Sequence, residues 1–272
     1  MRAPVPYFGS KQRLAPWIVS LLPEHEHYVE PFAGSLSVLM AKPRSRMETV
    51  NDLDHELMTF WRVLRDRPAE LLRACMLTPH CRAELDNTWE PVPDGDELEL
   101  ARRIWTRLTQ GRSGTLRKTG WRHYIDPAGS TTSMPGYLDG YRDRLAAAAE
   151  RLMGVSLESL PALDLIGKYG AQRSVLLYVD PPYLGSTRGW GRNYRCEMKN
   201  DDEHRELADA LRAAKACVVL SGYPSGLYDQ LYEGWHQYEI ASMTGNATAD
   251  KGRTEVVWAN RPLAGQEELF SA

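Results

Sequence analysis

Long apolar runs, a cysteine framework and phosphate-cradling glycine motifs are all missing from this chain of 272 residues. No stretch of 18 apolar residues occurs, so no membrane-spanning helix is expected. The opening MRAPVPYFGSKQRLAPW has no apolar signal-peptide core. Four cysteines without a C-x-x-C are too few for a disulfide scaffold and wrongly spaced for structural zinc. A cytoplasmic location and no metal are the expectation. His25, His27 and the His80-Cys81 pair are expected to be surface or packing residues. Neither G-x-G-x-x-G nor G-x-x-x-x-G-K is present, which argues against NAD or ATP. No Ser/His/Asp set stands out for nucleophilic catalysis.

What is there is ordinary globular material, 43% hydrophobic and 25% charged. That is enough apolar surface to offset ordering entropy, so disorder is excluded for most of the chain. The net charge of −3 hides a segregation. Residues 84–100 hold seven acids and no Lys or Arg; residues 101–124 hold seven Lys or Arg and no acid. A weakly acidic protein with a local basic segment still meets phosphates, because the local field matters more than net charge. The alternative is a solvated helix face.

Hydrophobic periodicity organises the chain. A helix is predicted over 10–22 with Ser10 as its N-cap, then a strand over 27–32, a helix through Leu36–Met40, a strand over 47–51 and a helix over 54–66. This βαβα beginning implies a parallel sheet. Between 69 and 160 the pattern shows helices (69–77, 97–110, 136–153) and loops, with no clear strand. Alternation resumes at 175–180 as a strand, followed by a helix over 202–214, a strand over 216–221 and a helix over 224–233. Strands near 235–241 and 254–260 close the fold. The expected class is α/β: a Rossmann-like mixed sheet with helices on both faces. Residues 1–68 and 161–260 would form the catalytic domain, 69–160 a helical insertion and 261–272 a mobile tail.

Two constellations carry chemistry. The first is a strand, the turn Pro31-Phe32-Ala33-Gly34-Ser35, a helix, a second strand and then Asp52. Gly34 lets backbone approach a ligand, and an acid after the next strand suits ribose hydroxyls. Without a phosphate motif, S-adenosylmethionine (SAM), an adenosine with a sulfonium, fits this pattern. The alternative is a tight turn at Gly34 and a helix cap at Asp52.

The second constellation is Asp180-Pro181-Pro182-Tyr183, placed after an apolar strand where open α/β sheets bind ligands. Two prolines fix φ and remove two N–H donors. A carboxylate and a rigid carbonyl then make an acceptor pair for an NH2 group, and the Tyr183 ring can stack on a base. Two acceptors on an exocyclic adenine amine favour a pyramidal nitrogen and expose its lone pair. An aligned methyl sulfonium then allows direct transfer, with orientation and preorganised charge doing the catalysis. Such a base must leave its stack. No Pro-Cys follows a strand, so the covalent cytosine route lacks a nucleophile. The loop 184–199 adds four basic residues, with Arg188 and Arg192 as candidate DNA contacts beside Trp190 and Tyr194; a plain surface loop is the alternative.

Taken together these segments resemble the Dam-like (D12 class) DNA adenine-N6 methyltransferases. Tyr7-Phe8-Gly9-Ser10-Lys11 resembles the family's N-terminal element, with Ser10 in place of a glycine. Tyr28 to Ser35 resembles its SAM loop, Asn51-Asp52-Leu53-Asp54 its acidic motif and Asp180 to Tyr183 its catalytic motif. Leu220 to Tyr223 and Thr254 to Trp258 resemble its late strands. The resemblance implies SAM contacts from Tyr7, Lys11, Phe32, Gly34, Asp52, Asp164 and Asp180, and catalysis by Asp180, Pro181, Pro182 and Tyr183. It places target recognition in 69–160, where Arg112, Arg117, Lys118 and Arg122 are candidate DNA contacts. Residues 108–114 lack the two asparagines of the family's loop, which leaves the recognition sequence open. The implied activity is site-specific adenine-N6 methylation of double-stranded DNA by a monomer, within or outside a restriction-modification pair. The alternatives are a catalytically silent DNA-binding regulator on the same scaffold, or an amino-methyltransferase acting on RNA or a protein amide. Finally, Gln266 to Phe270 resembles peptides that dock bacterial sliding clamps, which makes a clamp a candidate partner.

Overall fold

The computed structural model describes residues 1–125, 132–183, 198, 200–242 and 253–263. Among them, seven strands form one sheet: β1 (His27–Glu30), β2 (Met47–Asn51), β3 (Val155–Glu158), β4 (Val175–Val179), β5 (Cys217–Gly222), β6 (His236–Ser242) and β7 (Arg253–Ala259). Their order is β3-β2-β1-β4-β5-β7-β6. The first five are parallel; β7 runs antiparallel to both β5 and β6. This is the expected mixed, Rossmann-like sheet.

Period-two alternation divides the core between the two faces of the sheet. On β4, Leu176 and Tyr178 join one apolar cluster, while Leu177 and Val179 join the other. The first face is covered by α1 (Ala15–Leu21), α2 (Ser37–Ala41), α3 (His55–Asp66), α4 (Pro68–Leu77), α6 (Glu97–Gln110) and α7 (Met134–Leu152). The second is covered by α8 (Ala162–Gly170), α9 (Asp201–Ala213) and α10 (Gly226–Leu231). Helices thus lie on both faces. Each fully buried aliphatic side chain on β4 contributes roughly 1.5–3 kcal/mol, so the strand that leads into Asp180 is firmly held.

Three expectations are corrected. The first helix begins at Ala15, not at residue 10: Pro16 sits in its first turn, and no side chain caps it. Ser10 instead bonds Ser35 and Ser37 through their hydroxyls at 2.9 and 2.8 Å, tying the N-terminal segment to the glycine turn. The stretch 69–160 does contain a strand, β3, which pairs with β2 at the edge of the sheet. Its four residues are too short and too exposed for a periodic signal. The short helix α5 (Arg82–Asn87) also lay hidden in an acidic stretch. The insertion helices α4, α6 and α7 share one apolar cluster with α3 and the sheet, so they pack as part of the same body.

The charge segregation resolves into ion pairs. Arg102 binds Glu84 and Glu99 at 2.5 and 2.6 Å, Arg103 binds Glu99 at 2.6 Å, and Arg107 binds Glu56 at 3.0 Å. The acidic segment therefore neutralises Arg102 and Arg103, and Glu56 of α3 neutralises Arg107. Among the described residues no helix is long and apolar enough to cross a membrane. Arg188, Arg192 and the Gln266–Phe270 tail lie outside the described residues.

Candidate active site

The strand order places β1 beside β4, where the following helices leave to opposite faces and open a crevice at the carboxyl ends. A cavity of about 340 Å³ lies there. Its walls include Tyr7, Lys11, Phe32, Gly34, Asp52 and Asp180, six of the seven residues expected to hold SAM, together with Pro182. The seventh, Asp164, sits exposed on the first turn of α8 and does not line the cavity; Ala162 of that helix does.

The glycine turn is built by reciprocal constraints. Gly34 has φ +46°, and a Cβ there would lie 3.2 Å from the Tyr7 ring. Its N–H donates to Asp52 Oδ2 at 3.0 Å, and its carbonyl accepts the Trp61 indole N–H at 3.1 Å. Asp52 Oδ1 accepts the Asp54 N–H at 2.9 Å. The cap of α3 is Asp54, which accepts from the N–H groups of Glu56 and Leu57. Asp52 is therefore free of the capping role and braces the turn. Burial pushes its carboxyl up to about 6.

At the other end of the cavity, Asp180 Oδ1 accepts from Lys11 Nζ at 2.8 Å and from the Ser221 hydroxyl at 3.1 Å. Among the described residues, no donor is seen at Oδ2. Tyr183 is nearly buried: its hydroxyl donates to Glu255 Oε1 at 2.5 Å, Lys11 lies over its ring at 4.5 Å, and Tyr223 meets it edge-on at 4.7 Å. Loss of hydration drives the Tyr183 phenol well above its ordinary range. Pro181 follows Asp180 directly and Pro182 forms cavity wall.

Sequence reasoning missed Glu30 and Glu255 as site residues. Glu30, at the end of β1, accepts the Tyr28 hydroxyl at 2.9 Å, and burial pushes it up to about 8. Glu255 is 2% exposed, and loss of hydration raises its carboxyl too. The signal for Glu30 was an acid at a strand's carboxyl end; for Glu255, an acid directly before the apolar run Val256–Ala259. Among the described lining residues four are acidic and only Lys11 is basic. Glu30 holds its proton up to about pH 8, yet three further acids against one base still favour a cationic ligand over a phosphate.

The basic segment ends in a turn that pairs Gly111 with Trp121. Arg112 and Lys118 are exposed, Arg117 is half-buried, and Arg122 lies over the Tyr137 ring at 4.9 Å. Trp121 stacks with His80 (4.4 Å) and with His123 (5.1 Å), so His80 is a packing residue. The turn also docks on the cavity wall: the Phe8 N–H donates to the Gly114 carbonyl at 2.7 Å. Gly114 has φ +60°, and a Cβ there would meet the Pro6 and Tyr7 backbone at 3.2 Å. Among the described residues no cluster of three His, Cys, Asp or Glu is arranged to hold a metal.

Residues 7–89 match the model of the D12 class N6 adenine-specific DNA methyltransferase family. The Type II methyltransferase M1.LlaDCHI of Lactococcus lactis subsp. cremoris is 26% identical over 270 residues, covering 93% of each chain. Among solved structures, precorrin 8w decarboxylase from Methanobacterium thermoautotrophicum overlaps with a TM-score of 0.38 at 10% identity, covering 95% of both chains. Precorrin-6y C5,15-methyltransferase from Geobacter metallireducens overlaps with a TM-score of 0.36 at 11% identity, covering 91% of this chain and 86% of that one. The D12-class resemblance read from the motifs is borne out by the family match and the curated relative.

Proposed function

We propose that this protein is a SAM-dependent DNA methyltransferase that acts on the exocyclic amine of an adenine swung out of double-stranded DNA. One observation carries the reading: a single cavity joins the Gly34–Asp52 turn to Asp180, whose Oδ1 is occupied by two donors while Oδ2 accepts no described one. The donor set suits SAM. Asp52 supplies a carboxylate for ribose hydroxyls, Phe32 an aromatic wall, and the acidic lining a field for positive charge. When bound, SAM supplies an electrophilic methyl group.

The chain's own residues do the rest. Asp180 Oδ2 and a backbone carbonyl held by the two prolines accept the amine hydrogens, which localises the lone pair on nitrogen. Lys11 and Ser221 fix the carboxylate's angle from its other oxygen. Tyr183 presents a ring to the base. After transfer the amine carries one proton too many, and Asp180, its hydrogen-bond acceptor in this reading, takes it. Orientation of this kind contributes up to about 7–11 kcal/mol to a bimolecular step. Exposed Arg112 and Lys118, on a turn hydrogen-bonded to the cavity wall, would meet the DNA backbone, with 69–160 as the recognition region.

The test is expression in a host without adenine methylation, followed by single-molecule sequencing of its genome. N6-methyladenine at one sequence context is the expected result. An unmodified genome, with methyl transfer to RNA or protein instead, would overturn the assignment.

A further inference from the structure

Glu255 is the third residue of β7, directly before the apolar run Val256–Ala259, at 2% exposure. A buried carboxylate costs several kcal/mol unless it is paired and hydrogen-bonded, and apolar replacements of such pairs are often as stable. Its burial here therefore points to a role beyond stability. Its partners supply one. Oε1 accepts the Tyr183 hydroxyl at 2.5 Å and lies 3.5 Å from Lys11 Nζ. The same ammonium binds Asp180 Oδ1 at 2.8 Å and the Gly9 carbonyl at 3.1 Å, and lies 4.5 Å over the Tyr183 ring. One lysine is thus shared by two carboxylates, and one carboxylate holds two members of the site.

We infer that Glu255 is a positioning residue for methyl transfer, acting through Tyr183 and Lys11 without touching the base. It rests on the proposed function above. The hydrogen bond from Tyr183 fixes the tilt of the ring on which the base would stack, together with Tyr223 at its edge and Lys11 over one face. The ion pair draws part of the Lys11 charge away from Asp180. Asp180 thereby stays a stronger acceptor for the amine than it would be with the lysine to itself. Both effects act on the reacting geometry, and Lys11 keeps its place in the cavity wall.

The experiment is steady-state methylation of a duplex substrate by wild type, E255Q, Y183F and the double variant, with circular dichroism and melting curves as folding controls. E255Q removes the charge and keeps the shape; Y183F removes the hydroxyl and keeps the ring. Each single variant is expected to lose about tenfold to a hundredfold in kcat, in line with small misplacements at a reacting centre. KM for SAM should change less than about threefold, since the lost interaction is one of orientation. The double variant should fall no further than the weaker single, because the two residues act as one unit. Folded singles with kcat within twofold of wild type would overturn the inference, as would losses that multiply in the double or appear only in KM. If E255Q does not fold, Y183F decides alone by the same criterion. A wild type inactive on adenine would instead sink the proposed function, so the two failures are distinguishable.

Discussion

Glu30→Gln is a perturbation with a definite sign. Glu30 is 3% exposed at the end of β1 and lines the cavity. Loss of hydration is the main force pushing its carboxyl from 4.5 up to about 8; Asp180 adds to it, while the Tyr28 hydrogen bond and Lys42 oppose it. The folded protein therefore holds this proton more tightly than the unfolded chain. Below pH 4.5 both states are protonated and nothing is lost. Between 4.5 and 8 the unfolded chain ionises and the folded one does not, so stability falls by up to about 1.4 kcal/mol per pH unit. Above 8 the penalty is constant, with a ceiling on the order of 4–5 kcal/mol. Glutamine keeps the shape and an oxygen for the Tyr28 hydroxyl but cannot ionise. The variant should be more stable than wild type, with a gain that grows from pH 5 to pH 8.5. Even a third of the ceiling raises Tm by about 3–5 °C for a chain of this size. Melting curves of the ligand-free protein at pH 5, 7 and 8.5 measure it. A gain that is the same at all three values, or a wild type more stable at pH 8.5, would refute the reasoning. The same charge should matter in binding: SAM affinity of the wild type should rise toward pH 8 with proton release near pH 7, seen by calorimetry in buffers of different ionisation enthalpy. Glu30→Gln should show neither.

Three further predictions follow from the site. Asp180→Ala should abolish methyl transfer while leaving the melting temperature within a few degrees; transfer near the wild-type rate would mean that Oδ2 is not the amine's acceptor. Asp52→Ala should weaken SAM binding, measured by calorimetry, far more than DNA binding; equal SAM affinity would confine Asp52 to bracing the Gly34 turn. Reversing the charges of Arg112 and Lys118 should reduce the slope of log K against log salt for DNA by about 0.9 per lost phosphate contact. An unaltered slope would make this turn a solvated surface.

Much of the fold was legible because its signals are local. β4 is a short apolar run that ends, after Asp180, at two prolines, and β2 is read at residues 47–51 as observed. Asp180 to Tyr183 needed only its own four residues and the strand before them. β3 escaped because an edge strand of four residues, one face open, is held by pairing with β2 and not by its own pattern. The helix start at Ala15 escaped because Ser10, a good cap by type, is engaged by Ser35 and Ser37, which lie 25 and 27 positions away.

The sequence by itself determined the α/β class, the order of the motifs and the chemistry that a carboxylate followed by two prolines can perform, since these depend on residue type and near neighbours. Only the tertiary structure decided which charges remain for a ligand. Arg102, Arg103 and Arg107 read as part of a basic patch until the fold pairs them with Glu84, Glu99 and Glu56. Lys11 and Glu255, near opposite ends of the chain, meet over Tyr183 because β7 inserts beside β5 and the N-terminal segment crosses the carboxyl ends of β1 and β4. Coulomb interactions and desolvation depend on distance through space and on exclusion of water. Neither quantity exists until the chain has folded.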